Sequence, residues 1–152
     1  QNRWDKENFI DLMKKLYQKY NCYLLMTSGS IDKEITDYIK SRLNQSGIQC
    51  TLLENTPIRK LSAVIKKLDL YITNDTGTLH VAAGVDANVI SLFGPTHGYE
   101  WAPIGKNKIY IQSPTDDIND IPVETVFKNA ENFLNSNECK SDGKNLITHS
   151  HN

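Results

Sequence analysis

The sequence predicts an α/β fold, a parallel β-sheet doubly wound with helices on both faces. Three observations carry that expectation. Amphipathic helical stretches alternate with short apolar strands along the 152 residues. The connections between them are short and polar. Residues 70–96 (LYITNDTGTLHVAAGVDANVISLFGPT) read as strand, tight turn, helix and strand, a complete βαβ unit.

Each element has its own warrant. Residues 5–20 (DKENFIDLMKKLYQKY) place Phe9, Ile10, Leu12, Met13, Leu16, Tyr17 and Tyr20 on a helical stripe, with Asp5 as N-cap. Residues 22–27 (CYLLMT) form a short buried strand that turns at Ser28-Gly29-Ser30. A second helix covers 31–44 and stops near Gly47, and residues 48–54 (IQCTLLE) are the next strand. Asn55-Thr56-Pro57 opens a third helix, with Pro57 in its first turn, that runs through Lys67 and buries Ile58, Leu61, Val64, Ile65 and Leu68. After the βαβ unit, residues 108–112 (KIYIQ) are the last strand and 113–120 a loop. Residues 121–134 form a closing helix, with Pro122 in its first turn and Val123, Val126, Phe127, Ala130 and Phe133 on one face. The composition then turns polar, so the expected division is one domain over 1–135 and a flexible tail over 136–152, in which His149 and His151 are solvated rather than metal-binding. A doubly wound domain normally starts on the strand at its sheet centre. This chain starts on a helix, and Gln1-Asn2-Arg3 is no strand, so it reads as a piece of something longer.

The length suits one domain with its own core. A net charge of −1 gives no basis for nucleic acid or an anionic membrane as partner, and Lys14-Lys15 and Lys66-Lys67 read as solvated helix faces. Cys22, Cys50 and Cys139 are widely spaced with no CxxC pair; Cys22 and Cys50 lie beside predicted strands and read as small buried apolar groups in a reducing compartment. No apolar run approaches a membrane span, so a soluble protein is expected.

The chemistry concentrates where Asp75-Thr76-Gly77 leaves a strand and opens a helix. Free N–H groups and the positive dipole end make such a helix start a seat for phosphate. The Thr76 and Thr78 hydroxyls can donate to phosphate oxygens, Gly77 lets the main chain approach closely, and His80 shares their helix face. The bland alternative makes Asp75 or Thr76 a helix cap and His80 a surface residue; the whole string with its two strands favours the ligand. Thr27, Ser28 and Gly29 end another strand on the same expected sheet edge, which fits a ligand contact and an ordinary turn equally well.

The string from Asp75 to Ala83, followed by Phe93-Gly94-Pro95-Thr96, resembles the D-[ST]-G-x-x-H-x-A-A and F-G-P-T signature of glycosyltransferase family 9, the lipopolysaccharide heptosyltransferases and their relatives. Trp4 occupies the place of that family's Trp before its first helix, residues 53–58 loosely match its next turn, and the similarity spans roughly Trp4 to Leu134. The resemblance implies one half of a GT-B enzyme, in which two Rossmann-like domains face each other across a cleft. This chain would be the donor-binding half, and its enzyme would transfer a heptose-like sugar from a nucleotide-sugar, ADP-heptose by resemblance, to a lipopolysaccharide-type acceptor. The acceptor domain and its base aspartate would lie in the other, N-terminal half, so no catalytic residue is expected here and the chain alone should not turn over. The resemblance further implies no metal or other cofactor, a nucleotide-sugar and the acceptor-binding domain as partners, and a cytoplasmic location, the other half being the route to the inner membrane.

By the same resemblance, Asp75 accepts hydrogen bonds from donor sugar hydroxyls, while Thr76, Gly77, Thr78 and His80 hold the diphosphate. Thr56 aligns with a position whose backbone meets the adenine ring. Asp32 or Glu34 is a weaker match to an acidic residue on the ribose, against which a helix-start carboxylate is the better reading. The family's phosphate-binding Lys is replaced by Asn2, with Arg3 as the substitute, and Trp101 reads as packing. Two rivals remain. One is half of a retroviral-type aspartic protease, suggested by Asp-Thr-Gly but opposed by the surrounding helices. The other is a stand-alone nucleotide-binding or interaction module without catalysis.

Overall fold

The computed structural model describes residues 3–136 and the backbone of residues 145–149. Its helices are α1 (Lys6–Tyr20), α2 (Lys33–Gln45), α3 (Ile58–Lys66), α4 (Gly77–Gly84), the single turn α5 (Gly98–Trp101) and α6 (Val123–Ser136). The strands are β1 (Tyr23–Ser28), β2 (Cys50–Glu54), β3 (Leu70–Asn74), β4 (Val89–Phe93), β5 (Lys108–Gln112) and β6 (Asn145–His149). They form one parallel sheet in the order β2-β1-β6-β3-β4-β5.

Helices cover both faces. Leu24, Met26, Ile72, Ile90 and Leu92 pack with Phe9, Leu12, Met13 and Leu16 of α1, Ile39 and Leu43 of α2, and Val126 and Ala130 of α6. The opposite face joins Tyr71, Val89 and Phe93 to Ile65 of α3 and Leu79 and Ala82 of α4. This is the doubly wound α/β arrangement that the alternation predicts. Every residue of β3 and β4 is buried, as strands covered on both sides must be. The expected local devices are present: Asp5 accepts from Glu7 N at the start of α1, and Gly47 takes a φ of +74° just beyond α2.

Trp4 ties α1 to the sheet. Fully buried, it stacks edge-on against Phe9 at 5.0 Å and donates from Nε1 to Ile121 O. Its backbone N–H reaches Asn74 Oδ1 at the tip of β3, so Arg3 lies over the carboxyl edge of the sheet.

Several expectations are corrected. The tail expected over 136–152 starts too early and is not uniformly loose: Ser136 closes α6, and Asn145–His149 forms the central strand, paired on both sides. A sheet interior leaves no water for the inner main-chain groups of β1 and β3, and the β-prone run Leu146-Ile147-Thr148 supplies the partner strand. The strand at 108–112 is therefore not the last one, and Cys139, His151 and the rest of the tail lie outside the described residues. The third helix begins at Ile58 with Pro57 as its N-cap, and Ile58 is 65% exposed rather than buried. Trp101, expected to pack, is 59% exposed at the end of α5. Among the described residues, no helix is long and apolar enough to cross a membrane.

Candidate functional site

The carboxyl ends of β1 and β3 and the amino end of α4 enclose two adjoining cavities. The larger, of about 440 Å³, is lined by Thr56, Ile58, Leu61, Thr76, Gly77, Thr78 and Val81. The smaller, of about 180 Å³, takes Thr27, Ser28, Gly29, Leu53 and Asn55 and shares Thr56, Leu61 and Thr78 with its neighbour. Residues more than fifty positions apart thus meet at one sheet edge, the side where open α/β sheets bind ligands. The exposure of Ile58 now has a reason, since it forms part of a cavity wall with Leu61 and Val81.

The floor is a chain of hydroxyls. Tyr71 is fully buried on β3 and donates to Thr78 Oγ1 at 3.1 Å. Thr78 Oγ1 lies 2.8 Å from Thr76 Oγ1, which lies 3.4 Å from Thr73 Oγ1. Burial pushes the Tyr71 phenol above its usual pKa, so it stays a proton donor. Thr76 is the N-cap of α4 by position, but its side chain makes no capping bond and joins this chain instead. The helix-cap alternative for Thr76 therefore fails.

A second polar group lies beyond β1. Asp32, fully buried, accepts from Arg3 Nη2 at 2.6 Å, so it is more than a carboxylate at a helix start. Among the described residues, Arg3 Nε and Ser28 Oγ are buried polar atoms without a hydrogen-bond partner. Ser28 lines the smaller cavity, and Arg3, which lines neither cavity, is held by Asp32 next to the Trp4–Asn74 contact. Orphaned donors of this kind are rare in folded proteins and suit an anionic or polar ligand.

Of the candidates named from sequence, the structure gathers Thr76, Gly77, Thr78, Thr56, Thr27, Ser28 and Gly29 around the two cavities. Asp75 is half-buried at the turn into α4, and His80 is exposed and lines neither cavity. Sequence reasoning missed Leu61 and Val81 as cavity walls, the Tyr71 hydroxyl, and the pairing of Arg3 with Asp32. Only Tyr71 left a signal, a phenol between two aliphatic residues of a buried strand. Among the described residues no three His, Cys, Asp or Glu side chains come together as metal ligands would. The arrangement offers a helix amino end, hydroxyl donors and an apolar wall, which can seat a phosphate-bearing ligand with a flat apolar part.

Comparison with known proteins places the chain in context. The model of the family described as glycosyltransferase family 9 (heptosyltransferase) matches residues 1–130. Lipooligosaccharide heptosyltransferase 2 of Campylobacter jejuni is 29% identical over 102 residues, which cover 66% of this chain and 32% of that protein. Lipopolysaccharide heptosyltransferase 3 of Escherichia coli is 29% identical over an alignment of 154 positions, 91% of this chain and 44% of that protein. The solved structure of E. coli ADP-heptose LPS heptosyltransferase II superposes with a TM-score of 0.78 at 22% identity, covering 91% of this chain and 44% of the other. E. coli heptosyltransferase WaaC with ADP gives 0.75 at 20% identity, covering 87% and 40%. Both structures share the fold, and the chain spans less than half the length of each of these four proteins.

Proposed function

The chain belongs to glycosyltransferase family 9, and we propose that it is the donor-binding half of a glycosyltransferase of lipopolysaccharide assembly, holding a nucleotide-sugar whose diphosphate rests at the amino end of α4. The observation that carries this reading is the meeting of Thr76, Gly77 and Thr78 with an apolar wall of Ile58, Leu61 and Val81. One side fits a diphosphate and the other a nucleobase. ADP is the favoured nucleotide because the structural relatives include heptosyltransferase WaaC with ADP and with ADP-2-deoxy-2-fluoro heptose.

In this reading the main-chain N–H groups at the start of α4, together with Thr76 and Thr78, take the charge that builds on the leaving diphosphate as the glycosidic bond breaks. Arg3, held by Asp32, adds a fixed cation, and Ser28 a donor. Asp75 accepts from sugar hydroxyls, and Thr56 meets the base through its backbone. His80, exposed one turn into the helix, reaches the diphosphate only from outside the cavities. An acceptor-binding domain supplies the base and completes the enzyme, which works at the cytoplasmic face of the inner membrane. No metal enters this scheme.

Titration of the chain with ADP, UDP, GDP and adenosine tests the reading. ADP should bind more tightly than adenosine, and Asp75→Ala and Thr76→Ala variants with unchanged melting curves should bind an ADP-sugar more weakly. Absence of binding by every nucleotide, or normal binding by both variants, would refute it. A stand-alone binding module would bind equally well but would gain no transferase activity when joined to an acceptor domain.

A further inference from the structure

Tyr71 is a phenol in a place where the core asks only for an apolar side chain. Its ring packs among Ile65, Leu68, Leu79, Ala82, Val89 and Phe93, and a phenylalanine would fill the same space. The hydroxyl, however, is aimed at the cavity floor, where the Thr27 and Thr73 hydroxyls also face it, and donates to Thr78 Oγ1, which sits 2.8 Å from Thr76 Oγ1. A phenol carries one proton. Once that proton is given to Thr78, the proton of Thr78 must point elsewhere, toward Thr76 or outward into the cavity. Hydrogen bonds in such a chain polarise one another, and a buried chain is polarised more than one in water.

We propose that Tyr71 is a positioning residue for anion binding: by donating to Thr78 it directs the Thr78 and Thr76 hydroxyl protons toward a diphosphate at the amino end of α4. The inference rests on the site reading above and adds to it a residue that never touches the ligand. Without the phenol, Thr78 is free to turn its proton inward toward the vacated space, and each hydroxyl must be reoriented when the anion arrives.

The test is a double-mutant cycle between Tyr71→Phe and Thr78→Val, read by calorimetric titration with ADP and with adenosine. Tyr71→Phe should keep its fold, weaken ADP binding about two- to tenfold, as one hydrogen bond is worth, and leave adenosine binding unchanged. In the Thr78→Val background the same change should have no further effect. Undiminished ADP binding by Tyr71→Phe, alongside weakened binding by Thr78→Val, would overturn the role of Tyr71 while sparing the site. Equal losses in both backgrounds would also overturn it, since the phenol would then not act through Thr78. A wild-type chain that binds no nucleoside diphosphate would overturn both readings. Should Tyr71→Phe lose its fold, the wild-type Tyr71 hydroxyl-proton resonance decides: a shift with ADP but not adenosine supports the proposal, and an unmoved resonance overturns it.

Discussion

Replacing Gly77 with alanine separates what this glycine does for the fold from what it does for a ligand. Its φ lies outside the left-handed region, and a Cβ built on it meets no heavy atom within 4 Å. Packing therefore makes no demand for glycine at the first residue of α4. Alanine there restricts the unfolded chain and should stabilise the protein by about 0.4–1 kcal/mol, or roughly 1–4 °C in Tm for a chain of this size. The same methyl group would project into the 440 Å³ cavity, where the diphosphate is proposed to approach the main chain. Holding an oxygen off the N–H groups forfeits at least one charge-assisted hydrogen bond, about 1.5–3 kcal/mol, so ADP affinity should fall by about tenfold or more. Melting followed by circular dichroism and titration calorimetry read the two effects, which have opposite signs. ADP binding as tight as that of the wild type would refute the close main-chain approach, and a lowered Tm would refute the open-space argument.

The other glycine of the motif's end behaves differently. A Cβ on Gly94 would lie 2.9 Å from both the backbone N and the Cβ of Ile118, so Gly94→Ala should cost about 1–3 kcal/mol in urea denaturation. Arg3→Ala takes the guanidinium from a fully buried carboxylate, and urea denaturation should show a loss of about 1–3 kcal/mol along with weaker ADP binding. Ile58→Ser, at an exposed cavity wall, should leave stability within about 0.5 kcal/mol and weaken adenosine and ADP alike in titrations. Burial pushes the Cys50 thiol from 9.0 up to about 12. The folded state then holds a proton that the unfolded state releases, so stability is complete below pH 9.0 and is lost as pH climbs toward 12, by up to about 4 kcal/mol. Tyr71, raised above 10.0 chiefly by burial, adds a loss of the same sign. Urea midpoints between about pH 8 and 11 should fall steeply for the wild type and less so for Cys50→Ala.

Element types were legible because they are encoded locally. The stripe from Phe9 to Leu16 repeats at the helical period and can be read without knowing what it packs against. The Asp75-Thr76-Gly77 turn from an apolar strand into a helix was legible for the same reason. Boundaries moved by one or two residues, as at β1, where the strand runs on through Ser28. Asn145–His149 escaped notice because a five-residue strand is too short to show a period of its own, and a polar neighbourhood hid it. Ile58 misled because it falls on the apolar stripe of α3. That stripe continues past the sheet, so its first residue faces a cavity and not the core.

By itself the sequence determined the alternation of helices and strands, the βαβ unit and the residue string that opens α4, since main-chain hydrogen bonding and side-chain periodicity act over a few residues. Tertiary structure alone decided the strand order, the joining of Arg3 to Asp32 twenty-nine residues away, and the meeting of Thr27 and Ser28 with Thr56 and Thr78. Those outcomes depend on which strand edges pair and how far each helix overhangs the sheet. Free energy of that kind is shared among distant contacts, and no short window of the chain contains it.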